Sequence, residues 1–183
     1  MTTPDPLARF GAVPQFTLTS TDMTDGQPLA AAQFCVDAGG LGQSPQLTWS
    51  GFPPETKSFA ITVYDPDAPT GSGFWHWAVG NLPVTVTSLP TDAGSARVGA
   101  STGGALPPEA LVLPNETRQA SFAGAGPPEG TGTHRYQFIV HAVDVPVIEI
   151  DPQSTPAVLG FNLHFHTLAR AVLEATGTFG GAR

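Results

Sequence analysis

Apolar and polar residues alternate with a period of two along much of this chain. From Ser58 to Asp65, the side chains of Phe59, Ile61 and Val63 fall on one face, and Asp65 continues that face beyond the last apolar position. Phe74 to Asn81 alternates again, with His76, Ala78 and Gly80 opposite Trp75, Trp77 and Val79. Arg135 to Val143 is the strongest such run, with Tyr136, Phe138 and Val140 on one side. Weaker strands are expected at Gln15–Thr19, Gln33–Val36 and Gln46–Ser50. Many strands separated by Gly/Pro turns predict a mainly β protein, with antiparallel sheets packed as a sandwich.

Only one stretch has a helical period. From about Gly160 to Ala175, Phe161, Phe165, Leu168, Ala169 and Val172 recur at three- and four-residue steps. Pro156 precedes this C-terminal helix and Gly177 follows it, the usual positions for a start and a stop. Between Thr91 and Thr133 only Ala110–Leu113 is patterned, and so long a loop in a compact domain is more often functional than a linker.

Composition narrows the classes. The 183 residues suit one domain, 1–183, whose first fourteen residues form a loose N-terminal segment. With 21 glycines and 19 prolines, the protein should be rich in loops but folded. Seven basic residues against a net charge of −8 cannot build a basic face, which argues against nucleic acid and against an anionic membrane. No apolar run has the length of a leader or a membrane span, so a soluble cytoplasmic protein is expected. Cys35 is the single cysteine, and its apolar setting reads as a buried structural thiol.

The densest chemistry lies in two segments. One is Asp65-Pro66-Asp67-Ala68-Pro69 running on to Phe74-Trp75-His76-Trp77; the other is Gly126-Pro127-Pro128-Glu129-Gly130 leading to His134-Arg135-Tyr136. Antiparallel pairing of the strands ending at Asp65 and starting near Phe74 brings Asp65 and His76 to one end of a sheet. His134 and Tyr136, two residues apart, share a face. Such an assembly suits a small anion such as phosphate, with imidazole and phenol donors beside glycine-rich backbone. Asp65 is expected to accept from a histidine N–H, with His76 its partner, fixing the ring. Asp67 is expected to cap its own turn, Arg135 to form a salt bridge or structural hydrogen bonds, and Trp75 to pack. His164 and His166 would diverge by about 200° on a helix, so no metal site is expected there.

These paired motifs, with Gly160-Phe161-Asn162-Leu163-His164-Phe165-His166-Thr167-Leu168-Ala169, resemble the phosphatidylethanolamine-binding protein family, in its bacterial Raf-kinase-inhibitor-like branch. The resemblance implies an antiparallel β-sandwich with a small anion pocket at one end. By motif, its ligand-binding residues are Asp65, His76, Pro128, His134 and Tyr136, supported by Asp67, Trp75, Gly126 and Arg135. Phe122 stands where relatives tend to have tyrosine, removing a hydroxyl from the expected rim. With no G-x-S-x-G elbow, Walker loop or placed nucleophile in either motif, the residues favour non-catalytic binding of phosphate, a phosphorylated ligand or a phospholipid headgroup, and no cofactor is expected. A kinase or protease target and a homodimer are further implications of the resemblance. Two alternatives stay open: a hydrolase or phosphoryl-transfer enzyme working through Asp65, His76 and His134, and a protein inhibitor in which the anion site is incidental. No nucleophile is placed in either motif; Ser72 is the one candidate, in a turn expected to face solvent.

Overall fold

The computed structural model describes residue 7 and residues 11–95 and 106–182. Most of the predicted N-terminal segment, and ten residues of the predicted long loop, lie outside these. Among the described residues, eight strands form two antiparallel sheets. The small sheet contains β1 (Thr17–Thr19), β2 (Leu47–Ser50) and β5 (Ser88–Leu89), in the order β1-β2-β5. The large sheet is ordered β6-β4-β3-β7-β8, from β3 (Ser58–Asp65), β4 (Phe74–Pro83), β6 (Leu111–Val112), β7 (Thr133–Val143) and β8 (Thr167–Thr178). The α-helix α1 (Pro156–His166) precedes β8.

The predicted alternation explains the layers. Phe59, Ile61, Val63, Phe138 and Val140 meet Leu47, Trp49 and Leu89 of the small sheet in the main core. Trp49 and Phe52 both set their rings edge-on to Phe59, with centroids 5.5 and 4.8 Å away. The opposite face of the large sheet, at Ala60, Ala78 and Val143, packs beneath Leu159 and Leu163 of α1.

Three expectations need correction. The predicted helix is half strand: α1 stops at His166 and the chain continues as β8, pairing with β7 from Thr133↔Thr178 to Val143↔Thr167. Phe161 and Phe165, taken as its inward stripe, are 66% and 63% exposed, whereas Leu159, Gly160 and Leu163 are buried. Past His166 the small residues Ala169, Ala171 and Ala175 alternate inward with Leu173, so the long ladder prevails over alanine's helical preference. Second, Gln33–Val36 is no strand. Short 3-10 turns at Ala31–Gln33 and Val36–Ala38 flank Phe34, which makes only an isolated bridge to Ala125. Third, the alternation of β4 slips. Trp77 pairs with Val63 but Trp75 pairs with Tyr64, leaving His76 as the extra residue of a bulge. Trp77 therefore enters the core, while Trp75 turns to the far face against Tyr64.

The outer edge of β8 is partly closed by the chain's own N-terminal portion. Arg170 N–H donates to Pro14 O and Thr176 N–H to Gln27 O, at 3.0 Å each. Backbone groups that could recruit another strand are thereby occupied at these positions.

Candidate functional site

A cavity of about 410 Å³ opens at the end of the large sheet where β3 finishes and β4 and β7 begin. Asp65, His76, Pro128, His134 and Tyr136 all line it, and so does Gly126. The other supporting residues, Asp67, Trp75 and Arg135, do not line it; Trp75 lines a separate cavity of about 250 Å³ on the other face of the sheet, beneath α1. The bulge at His76 is the cause, since it separates the faces of Trp75 and Trp77 and turns His76 toward Tyr136, ring centroids 5.2 Å apart.

Asp65 does orient a histidine, but the partner is His134. Its Oδ2 accepts from His134 Nδ1–H at 2.7 Å, and both side chains are almost fully buried. The other carboxylate oxygen accepts the Asp67 N–H at 2.8 Å, so Asp65 also makes the turn-capping bond expected of Asp67. Asp67 instead forms an ion pair with Arg135, whose Nε and Nη2 donate to its two oxygens at 2.7 and 2.8 Å. The Arg135 backbone N–H adds a third bond to Asp67, at 3.0 Å. This fork ties the loop after β3 to the start of β7, side by side with the Asp65–His134 pair.

The protons of the site can be counted. A carboxylate only accepts, so His134 Nδ1 carries hydrogen. Its Nε2 lies 2.9 Å from Thr131 Oγ1, and that hydroxyl is also 2.7 Å from Pro128 O. Thr131 has one proton for two acceptors when His134 is neutral. When His134 is an imidazolium, its Nε2–H donates to Thr131, Thr131 donates to Pro128 O, and every partner is satisfied. In both states the two ring nitrogens of His134 lie against protein partners, although neutral Nε2 receives the Thr131 proton only at the expense of Pro128 O.

His76 differs. A carbonyl also only accepts, so His76 Nδ1–H donates to Ala123 O at 2.7 Å, which leaves Nε2 for the cavity. Burial holds this imidazole below its ordinary pKa, against opposing pulls from the Ala123 carbonyl and the Asp65 charge. The ring is thus neutral near pH 7, and Nε2 is then an acceptor. The Tyr136 hydroxyl is buried with no hydrogen-bond partner. Burial, then the Asp65 charge, pushes its pKa upward, against an opposing pull from the nearby Gly126 amide, so it remains a donor.

Several groups at the site were not anticipated. Ala123 and Thr131 act through a carbonyl and a hydroxyl, outside the motif positions singled out. Cys35 is not a buried structural thiol: it is half-buried and lines the cavity. Gly124 permits this, because a Cβ there would run into the Cys35 backbone, whose N–H donates to Ala125 O at 2.8 Å. Phe122 is not at the rim; it is buried between Trp77 and Phe138. Ser72 is exposed and outside the cavity lining. His166 pairs with Asp144 at 2.9 Å, and among the described residues no group of three or more metal-ligating side chains is assembled. No helix among them is long and apolar enough to cross a membrane.

Comparison with known proteins places this architecture. The family profile "Phosphatidylethanolamine-binding protein" matches residues 19–179. The Escherichia coli proteins YbcL and YbhB are 46% and 44% identical to the chain; the alignments cover 85% and 86% of it and 84% and 97% of the relatives. A crystal structure of Escherichia coli YbcL, titled a new member of the mammalian PEBP family, superimposes with a TM-score of 0.81 at 44% identity, covering 88% of this chain and 97% of that one. A Chlamydia trachomatis homologue gives 0.73 at 28% identity, covering 90% and 97%. With two antiparallel sheets, a helix before the last strand and sequence similarity over most of its length, the chain belongs to the phosphatidylethanolamine-binding protein family.

Proposed function

We propose that the chain is a non-catalytic binding protein for small phosphate-type anions. The observation carrying this reading is the convergence of the unpartnered Tyr136 hydroxyl and His76 Nε2 on one cavity. Buried polar groups ordinarily find partners, and one that does not is a candidate ligand contact. Tyr136 offers a donor. His76 offers an acceptor when neutral and a donor once protonated. His134 and Asp65 are positioning groups behind them, because both His134 nitrogens lie against protein partners, Asp65 and Thr131. An anion that arrives with its own proton can give it to Nε2, whereas a fully ionised anion must draw a proton onto His76.

Binding should therefore take up a proton. As pH falls from about 8 toward 5, affinity should rise by up to about tenfold per unit. The assay is thermal unfolding with phosphate and, separately, with sulfate, which has no proton to bring in this range. Ligand at a hundred times its Kd should stabilise the native chain by about 2.7 kcal/mol. His76→Gln should remove both the shift and its pH dependence. No shift with either anion, or an affinity flat across this range, would sink the reading. Phospholipid headgroups and phosphorylated protein segments present the same terminal group; phosphoethanolamine and phosphopeptides, titrated in parallel, separate these sources. Regulation of a kinase or protease would act through the second kind.

One observation favours the hydrolytic alternative: Asp65, His134 and Thr131 line up as carboxylate, imidazole and hydroxyl at 2.7 and 2.9 Å. The hydroxyl, however, is closer to Pro128 O than to the imidazole, and Thr131 is exposed and outside the cavity lining. Turnover of an activated phosphate or carboxylate ester that disappears in Thr131→Ala would favour the enzyme.

A further inference from the structure

Cys35 sits in the cavity wall as the N-cap of the Val36–Ala38 turn, held by its N–H bond to Ala125 O. Its sulfur faces Gly126, where an added Cβ would come within 3.0 Å of Sγ. The Gly126 amide also lies close to the Tyr136 hydroxyl. Two observations thus coincide at one glycine: a thiol that is half open to a cavity, and a buried hydroxyl with nothing to donate to. Cys35 also acts electrostatically on this hydroxyl, so the two groups are neighbours beside Gly126.

We propose that Cys35 is a peroxide-modifiable thiol whose sulfenic acid projects into the cavity and is held there by the Tyr136 hydroxyl. In the step itself, the thiolate electron pair attacks one oxygen of hydrogen peroxide. An S–O bond forms and the O–O bond breaks; the departing hydroxide combines with the proton released by the thiol as water. Sulfur is oxidised by two electrons and the peroxide is reduced. No second cysteine exists in the chain to close an intramolecular disulfide. Release therefore needs a low-molecular-weight thiol, which condenses with the sulfenic acid to a mixed disulfide and water and is then exchanged. The added oxygen occupies part of the space facing His76 and Tyr136, so oxidation should close the pocket to anions. That last consequence rests on the anion-binding reading; the modification does not.

The full chain, treated with hydrogen peroxide and trapped with dimedone, should give one adduct, mapped to Cys35. The sulfenic form should persist several-fold longer in the folded wild type than in wild type unfolded in urea. It should be several-fold shorter-lived in Tyr136→Phe, a change that removes an unpartnered hydroxyl and keeps the ring. No adduct on the folded chain, or a lifetime that neither unfolding nor Tyr136→Phe shortens, would overturn the proposal. Phosphate titration of the oxidised chain then separates the two readings. A wild-type phosphate shift lost on oxidation supports both, and a shift that survives oxidation overturns the blocking role. Trapping and lifetimes as expected, with no phosphate shift before oxidation, leave the thiol site standing and remove the anion reading.

Discussion

Asp65 offers the sharpest test of the site, because its two obvious replacements should behave differently. Removing one member of a buried ion pair generally costs about 3–5 kcal/mol, since the other is left without a partner. Asp65→Ala leaves both the His134 Nδ1–H and the Asp67 N–H without an acceptor, in a region where the two paired side chains are 1% and 4% exposed. Asp65→Asn keeps one acceptor oxygen, which can stay with the Asp67 N–H. Its NH₂ then faces His134, and two donors would collide if the ring kept its proton on Nδ1. The ring has another option. Moving the proton to Nε2 lets Nδ1 accept from the amide, while Nε2–H donates to Thr131 and Thr131 donates to Pro128 O. All partners remain, and only the charge assistance disappears, at a cost of about 1–2 kcal/mol. At about 2–4 °C per kcal/mol for a chain of this size, the expected loss in Tm is roughly 2–8 °C for Asn against 6–20 °C for Ala. Thermal unfolding gives the ranking, and nitrogen-15 NMR of the imidazole gives the tautomer. If Asn destabilises as much as Ala, or if His134 keeps Nδ1–H in the Asn variant, the proton count is wrong.

His141, buried beneath α1 with its pKa pushed down to about 3 by burial and by the Arg170 charge, predicts a stability that depends on pH. The folded state resists protonation that the unfolded chain accepts near pH 6.5, so stability is full above that value. It is lost as pH falls toward 3, at up to about 1.4 kcal/mol per unit. Urea midpoints from pH 7.5 to 5.5 should fall in the wild type and fall less in His141→Gln; identical slopes would refute this. Arg135→Lys should cost about 0.5–1.5 kcal/mol, because an ammonium cannot reproduce the two-pronged contact with Asp67 in a partly exposed pair. A double-mutant cycle with Asp67→Ala measures the coupling by urea unfolding, and a value indistinguishable from zero would show that the fork contributes no stability.

The layers were legible in the sequence wherever alternation was uninterrupted. Phe59-Ile61-Val63 and Tyr136-Phe138-Val140 face inward as their period requires, because those strands lie at the centre of the large sheet with neighbours on both sides. The end of the chain misled because two periods overlap there. Phe161 and Phe165 imitate an inward helical stripe, and Ala169, Ala171 and Ala175 are good helix formers; yet β7 offers a partner of matching length, and a helix through β8 would leave that edge of β7 unpaired. A pairing partner distant in sequence leaves no trace in the local pattern.

At the cavity, which residues gather and what each does separate along the same line. Asp65 with His76, and His134 with Tyr136, could be paired from strand ends and spacing, because those are set by turns and by a period of two; joining the two pairs rests on the family resemblance. Which histidine receives Asp65 depends on the bulge, one extra residue in β4 that swings His76 to Ala123 O and leaves the carboxylate to His134. Cys35 enters the wall only because Gly124 lets two loops approach at backbone distance. Neither the bulge nor the approach alters the apolar pattern, so neither could be read from it. Their chemical consequence is large. Under the proposed anion-binding reading, an incoming anion would meet His76, Tyr136 and the Cys35 sulfur, and the proton on His76 would set the pH dependence of binding.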